Sequence, residues 1–213
     1  MTKLLIIRHG FSTSNKDGTI TGQIDVPLSD VGLKQAELVS DYIIKNYKVD
    51  AIYSSDLVRA TATVQKVADT LSLPLKTDKR LREVNCGKWE GMLVEKAQSE
   101  YPKEYIAWKN GSELTRIPGG ETTLEVKIRA MAAVYDIVKE NHNKTVVIAT
   151  HGGVIKTIQS GAFGVPYRVL STMPWATNAS ITELDYEDGK FSLVKFSYDD
   201  YLSELKTSMP KGI

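Results

Sequence analysis

A three-layer α/β/α fold with a mostly parallel central sheet is predicted by three features of the sequence. Short, unbroken aliphatic runs recur along the chain, as strands buried on both faces require. Between them lie segments whose apolar residues repeat at helical spacing. This strand–helix alternation favours parallel pairing through helical crossovers. The first run is Leu4-Leu5-Ile6-Ile7, closed by Arg8-His9-Gly10. Ser29 reads as the N-cap of a helix with Leu33, Ala36, Val39 and Ile43 on one face. Val49–Tyr53 reads as the second strand. Leu57, Ala60, Val64, Val67, Ala68 and Leu71 mark a helix that stops before Pro74. A third helix carries Leu124, Ile128, Met131, Tyr135 and Val138, opened by a Thr122/Glu125 capping box. Thr145–Thr150 is the third strand, followed by a helix from about Gly153 through Ile158. Residues 180–185 and 191–196 read as a hairpin across Asp188-Gly189.

Residues 85–120 interrupt the alternation. They mix Trp89, Met92, Tyr101, Tyr105 and Trp108 with lysines and end in Pro118-Gly119-Gly120. They read as a partly helical insertion that covers the sheet edge and the site. No repeat or linker divides the chain, so residues 1–213 read as one domain. A net charge of +1 with interleaved signs argues against a nucleic-acid or membrane-surface partner. The single cysteine, Cys86, leaves no internal disulfide, and no Cys/His cluster suggests zinc. The N-terminal apolar run is too short for a signal peptide or membrane span, and a cytoplasmic location is the expectation. Oligomeric state is not legible.

The chemistry gathers at the strand ends. Arg8-His9-Gly10 succeeds the first strand, Ser54 to Arg59 the second, and His151-Gly152-Gly153 the third. In a parallel sheet these ends share one edge, where ligands bind. Two arginines, two histidines and helix N-termini would meet there, a composition suited to a phosphate or a carboxylate. Each feature alone has an ordinary explanation. A lone histidine is more often structural, as His142 reads near a helix C-terminus. Arg59 alone would be a helix-surface residue, and a Gly-Gly pair a turn. Their coincidence at three strand ends is what argues for a site.

Several blocks carry a resemblance to a known family. They are Arg8-His9-Gly10-Phe11-Ser12-Thr13-Ser14-Asn15, Gly22 through Ser29, and Ser55 through Ala60. Leu81-Arg82-Glu83-Val84 with Gly87-Lys88-Trp89-Glu90-Gly91, Pro118 through Glu121, and Thr150 through Gly153 complete the series. In this order they resemble the histidine phosphatase superfamily, in its phosphoglycerate-mutase-like branch and most closely its small phosphatases. The resemblance implies a phosphohistidine mechanism. His9 would be the nucleophile, and Arg8, Arg59 and His151 would hold the phosphate. Ser12, Asn15, Gly22 and the Gly152 amide would add phosphate or substrate contacts. Glu83 would be the general acid and then the base.

Elementary chemistry agrees with these roles. Phosphoryl transfer needs charge stabilisation on the equatorial oxygens and in-line geometry. Arginines and a histidine can supply it, so no metal or other cofactor is expected. His9 must be neutral, its second ring nitrogen bonded to an acceptor such as a backbone carbonyl, with Arg8 and Arg59 lowering its pKa. An alkoxide leaves poorly, so a carboxylic acid must protonate it. Taken by itself, Glu83 is as readily a surface carboxylate paired with Arg80 or Arg82. Phe11 stands where the family often has Glu or Gln, beside the nucleophile, and is expected to affect substrate access. Thr122 stands for a family Ser, a swap a cap tolerates.

The expected partner is a small phosphomonoester and the expected reaction its metal-independent hydrolysis. Two alternatives stay open. A cofactor-dependent phosphoglycerate mutase would need a longer insertion with an Arg-Arg pair, whereas residues 85–120 hold one arginine, Arg116. A non-catalytic phospho-ligand binding module would need a decayed set of His9, Arg8, Arg59, Glu83 and His151, and all five are present.

Overall fold

The computed structural model describes residues 1–207. The first strand, β1 (Thr2–Arg8), runs through the middle of a six-stranded sheet. After it come a short helix α1 (Thr13–Asp17), α2 (Asp30–Asn46), β2 (Ala51–Ser54), α3 (Val58–Leu71) and β3 (Leu75–Thr77). The interrupting segment holds α4 (Val94–Glu100) and α5 (Pro102–Lys109). The chain continues through α6 (Thr123–Glu140), β4 (Thr145–Thr150), α7 (Gly152–Phe163), α8 (Tyr167–Ser171), β5 (Ile181–Glu187) and β6 (Lys190–Tyr198).

The spatial order is β3-β2-β4-β1-β5-β6. The pairs β2–β3, β2–β4 and β1–β4 are parallel, and β5 and β6 add an antiparallel edge. Because both faces are covered, β1 reads as a continuous apolar run. Leu4 and Ile6 pack with α6 and α7 on one face, while Leu5 and Ile7 pack with α2 and α3 on the other. The β5–β6 turn is built on Asp188 and Gly189, both at positive φ.

Three expectations need correction. The sequence reading missed β3, α1 and α8, all five residues or shorter. On α6 Met131 and Val138 are buried as expected, with Val126, Ala130, Val134 and Ile137, while Ile128 and Tyr135 are exposed. Apolar residues occupy two faces of that helix, and periodicity alone cannot say which is inside. On α2, Leu33 is exposed too, and Gln35 is buried in its place. The predicted caps hold: Ser29 Oγ accepts from the Gly32 amide, and Thr122 and Glu125 form a complete capping box.

The segment over 85–120 builds a small core of its own from Trp89, Val94, Ala97, Tyr105 and Ile117. Trp89, Tyr105 and Trp108 pack ring against ring with centroids 5.9–6.0 Å apart. Such a cluster makes a rigid wall rather than a loose flap. Among the described residues no helix is long and apolar enough to cross a membrane.

Candidate active site

The sheet register sets the site. Arg8 of β1 lies opposite Thr150 of β4, and Ser54 of β2 lies opposite Ala149. The next residues, His9, Ser55 and His151, therefore leave the sheet side by side. The His9 amide donates to the Thr150 carbonyl at 2.9 Å, and the His9 carbonyl accepts from Asn178 Nδ2 at 3.0 Å. The backbone of His9 is fixed from both neighbours.

The rings of His9 and His151 lie 5.1 Å apart by centroid. His9 Nδ1 sits 2.7 Å from the Gly10 carbonyl oxygen, which can only accept. Nδ1 therefore carries the proton and Nε2 keeps its lone pair. This is the acceptor the sequence argument required. His9 is held well below the usual imidazole pKa, first by burial and then by the charges of Arg59 and Arg8. The arginines were expected to do this; burial is the larger cause. His151 is likewise depressed, first by burial and then by Arg59.

His151 Nε2 is 2.9 Å from Ser55 Oγ, which also accepts the Leu57 amide. Ser55 Oγ can serve that bond as donor or as acceptor, and the ring's other nitrogen is Nδ1. That nitrogen is buried without a hydrogen-bond partner. Arg59 Nε is in the same state, while its two terminal nitrogens donate to the carbonyls of Ile24 and Gly22, each at 2.8 Å. A buried donor left unmet is costly, and such atoms in a native site call for a ligand. Arg8 is fully buried, donates to the Ala176 carbonyl, and has its pKa lowered to about 10 by desolvation.

Gly152 and Gly153 begin α7, whose N-terminus adds partial positive charge. A Cβ on Gly153 would lie 2.5 Å from Glu83 Oε1, and one on Gly152 would lie 3.2 Å from the Trp175 ring. The glycine pair lets the helix end approach the carboxylate and the indole together. Glu83 Oε2 accepts the Gly153 amide at 3.2 Å, and Oε1 accepts the Val84 amide at 2.9 Å. Arg80 and Arg82 are engaged elsewhere, with Asp78 and Asp136, and with Asp56. Glu83 is therefore not the surface ion pair it resembles in isolation.

A cavity of about 110 Å³ opens over these groups. Arg8, His9, Asn15, Gly22, Arg59, Glu83 and Gly152 all line it. His151 lies behind them, fully buried against His9. Ser12 is placed differently: its hydroxyl caps α1 by accepting the Asn15 amide, and it is absent from the lining. Phe11 is not in the lining either. Its amide donates to Gln35 and its carbonyl accepts from Ser29, so it ties β1 to α2.

Sequence reasoning missed several supporting residues. Arg129 of α6 donates to the carbonyls of Arg80, Arg82 and Glu83 while paired with Glu121. It clamps the Glu83 loop, yet in sequence it looks like one more polar helix position. Trp175 lines the cavity from an irregular stretch that carries no periodic signal. Ser55 was detectable, because it directly follows the second strand.

The buried histidines make stability pH-dependent. Their folded-state pKa values lie below the unfolded value of about 6.5. Below that pH the unfolded chain binds protons that the folded one refuses, so stability falls as pH falls. Each histidine contributes up to about 1.4 kcal/mol per pH unit in that window. We expect Tm to drop between pH 6.5 and 5 in thermal melts, and to drop less steeply in His151→Asn; parallel slopes would exclude a contribution from His151.

Comparison with known proteins places this geometry in context. The family model for the histidine phosphatase superfamily (branch 1) matches residues 4–199. Phosphoserine phosphatase 1 of Hydrogenobacter thermophilus is 29% identical over 213 residues, covering 100% of both chains. Glucosyl-3-phosphoglycerate phosphatase of Mycolicibacterium vanbaalenii is 30% identical and covers 92% of each. The solved structure of Bacillus stearothermophilus YhfR superposes with a TM-score of 0.90 at 28% identity, covering 95% of this chain and 100% of that one.

Proposed function

The chain belongs to the histidine phosphatase superfamily, branch 1, and from that premise we propose that it is a metal-independent phosphomonoesterase working through a phosphohistidine at His9. Relatives named as phosphatases of small phosphorylated metabolites support the coarser part of this reading. The observation that carries the finer part is the arrangement around His9. The His9 ring, with Nε2 bare, lines a cavity that Arg59 also lines with its buried Nε unmet, and His151 lies directly behind. A phosphate supplies the acceptor that Arg59 Nε lacks and the electrophile that Nε2 attacks.

In the first step His9 Nε2 forms a bond to phosphorus as the ester P–O bond breaks. Glu83, protonated, gives its proton to the departing alkoxide, which leaves as the alcohol. In the second step Glu83 takes a proton from water, the water oxygen bonds phosphorus, and the P–N bond breaks. Inorganic phosphate leaves and His9 is restored. Arg8, Arg59, His151 and the α7 N-terminus bear the charge on the phosphoryl oxygens in both steps.

Hydrolysis is favoured over the mutase alternative by the cover segment. Its arginine, Arg116, donates to the Gly120 carbonyl and pairs with Glu125, outside the cavity lining. The binding-module alternative is disfavoured because the five residues it would have lost converge. The test is phosphate release from p-nitrophenyl phosphate with and without EDTA. We expect turnover unchanged by the chelator. Loss with EDTA and recovery with a divalent cation would overturn the metal-free mechanism, and no turnover at any pH from 4 to 8 would favour a binding module.

A further inference from the structure

We propose that this site selects monophosphates of neutral, apolar alcohols and discriminates against phosphorylated acids. The inference rests on the phosphatase reading and concerns the other half of the substrate. Beyond the phosphate end, the cavity is walled mainly by Ile20, Val84, Val94, Tyr105, Trp108 and Trp175, with Thr19, Thr21 and the uncharged Trp89 Nε1 donor as its neutral polar groups. Among the described residues, the lysines and arginines lining it are Arg8 and Arg59, both at the phosphate end.

Other cations are directed elsewhere. Lys156 of α7 is buried, with Nζ 4.1 Å from the centre of the Trp175 ring and donating to the Met173 carbonyl at 2.9 Å. Arg116 is bound to Glu125. Lys88 is exposed and outside the lining. A carboxylate on the leaving group would therefore be desolvated against aromatic rings without a cation of its own. Burying an unpaired charge is strongly unfavourable, whereas an alkyl or aryl group is favoured by the same wall. Trp89, Tyr105 and Trp108 pack against one another, which makes this wall a contiguous aromatic surface. By this reading the chain parts from its relative named for phosphoserine, although the phosphate end is suited to either ester.

The test compares esters of matched chemistry on the full-length protein. Phosphoglycolate and its methyl ester differ in the carboxylate charge, and phenylpropyl phosphate adds an aromatic end to a primary alkyl ester. We expect kcat/KM for the methyl ester to exceed that for the acid by about 10-fold or more, and phenylpropyl phosphate to exceed the methyl ester by about 10-fold. Trp108→Lys, which sets a cation in the wall, should cut the ester-to-acid ratio by about 10-fold. The proposal is overturned if the acid matches or beats its ester. It is equally overturned if phosphoserine outruns phenylpropyl phosphate, or if the ratio is unmoved in a Trp108→Lys protein that still hydrolyses p-nitrophenyl phosphate. Failure of the wild type on every ester, p-nitrophenyl phosphate included, would instead overturn the phosphatase reading itself.

Discussion

His9→Ala is expected to lower kcat by about 10⁴-fold or more while the protein still folds and still binds inorganic phosphate. As the proposed nucleophile, His9 is the one group here without a structural deputy. His151 is close, but its Nε2 is engaged with Ser55 and its ring lies behind the cavity lining. The phosphate-holding groups do not depend on the His9 ring. Arg59 is fixed by Gly22 and Ile24, Arg8 by Ala176, and the β1 end by backbone bonds to Thr150 and Asn178. Binding should thus survive the loss of chemistry, which is the signature of a residue used in the transition state. Reaction of wild type with labelled substrate, quenched without acid because a P–N bond is acid-labile, should place the label on His9. Label on another residue, or turnover surviving in His9→Ala, would refute the covalent mechanism.

The strand ends were legible because their signal is local. Arg8-His9 and His151-Gly152 each come directly after an aliphatic run, and parallel pairing with matched register brings such ends together without further information. The hidden parts depend on tertiary contact. Arg129 carries no mark of its hold on three carbonyls forty and more residues away in sequence. Ser12 is the converse: beside the nucleophile its hydroxyl looks like a phosphate ligand, but a serine three residues before Asn15 is also a helix cap, and the local bond prevails. Phe11 drew attention as a departure from its relatives, yet its main chain, not its ring at the cavity, links β1 to α2. On α6, Met131 and Val138 were placed inside correctly, and Ile128 and Tyr135 were misplaced because they obey the same period.

Glu83→Gln should separate the two halves of the reaction. Glutamine keeps an acceptor oxygen for one of the amides of Val84 and Gly153, and Arg129 and Gln23 still hold the loop through the residue-83 carbonyl. The loop backbone is held, one side-chain acceptor is lost with the second oxygen, and the proton the carboxyl group would give and take is lost. For a primary alkyl ester, the rate of phosphoryl transfer to His9 should fall by about 10²–10⁴-fold, the range that general acid catalysis supplies. For p-nitrophenyl phosphate the leaving group needs little help, and that step should change by less than about 10-fold. The second step still needs a base, so phosphohistidine should accumulate, and rapid mixing should show a burst of p-nitrophenol close to one per active site. Steady-state rates alone would blur this, because slow dephosphorylation would cap both esters alike. The pre-steady-state comparison is therefore decisive. Equal losses for alkyl and aryl esters in the first step would remove Glu83 from the acid role and leave it as a brace for the start of α7.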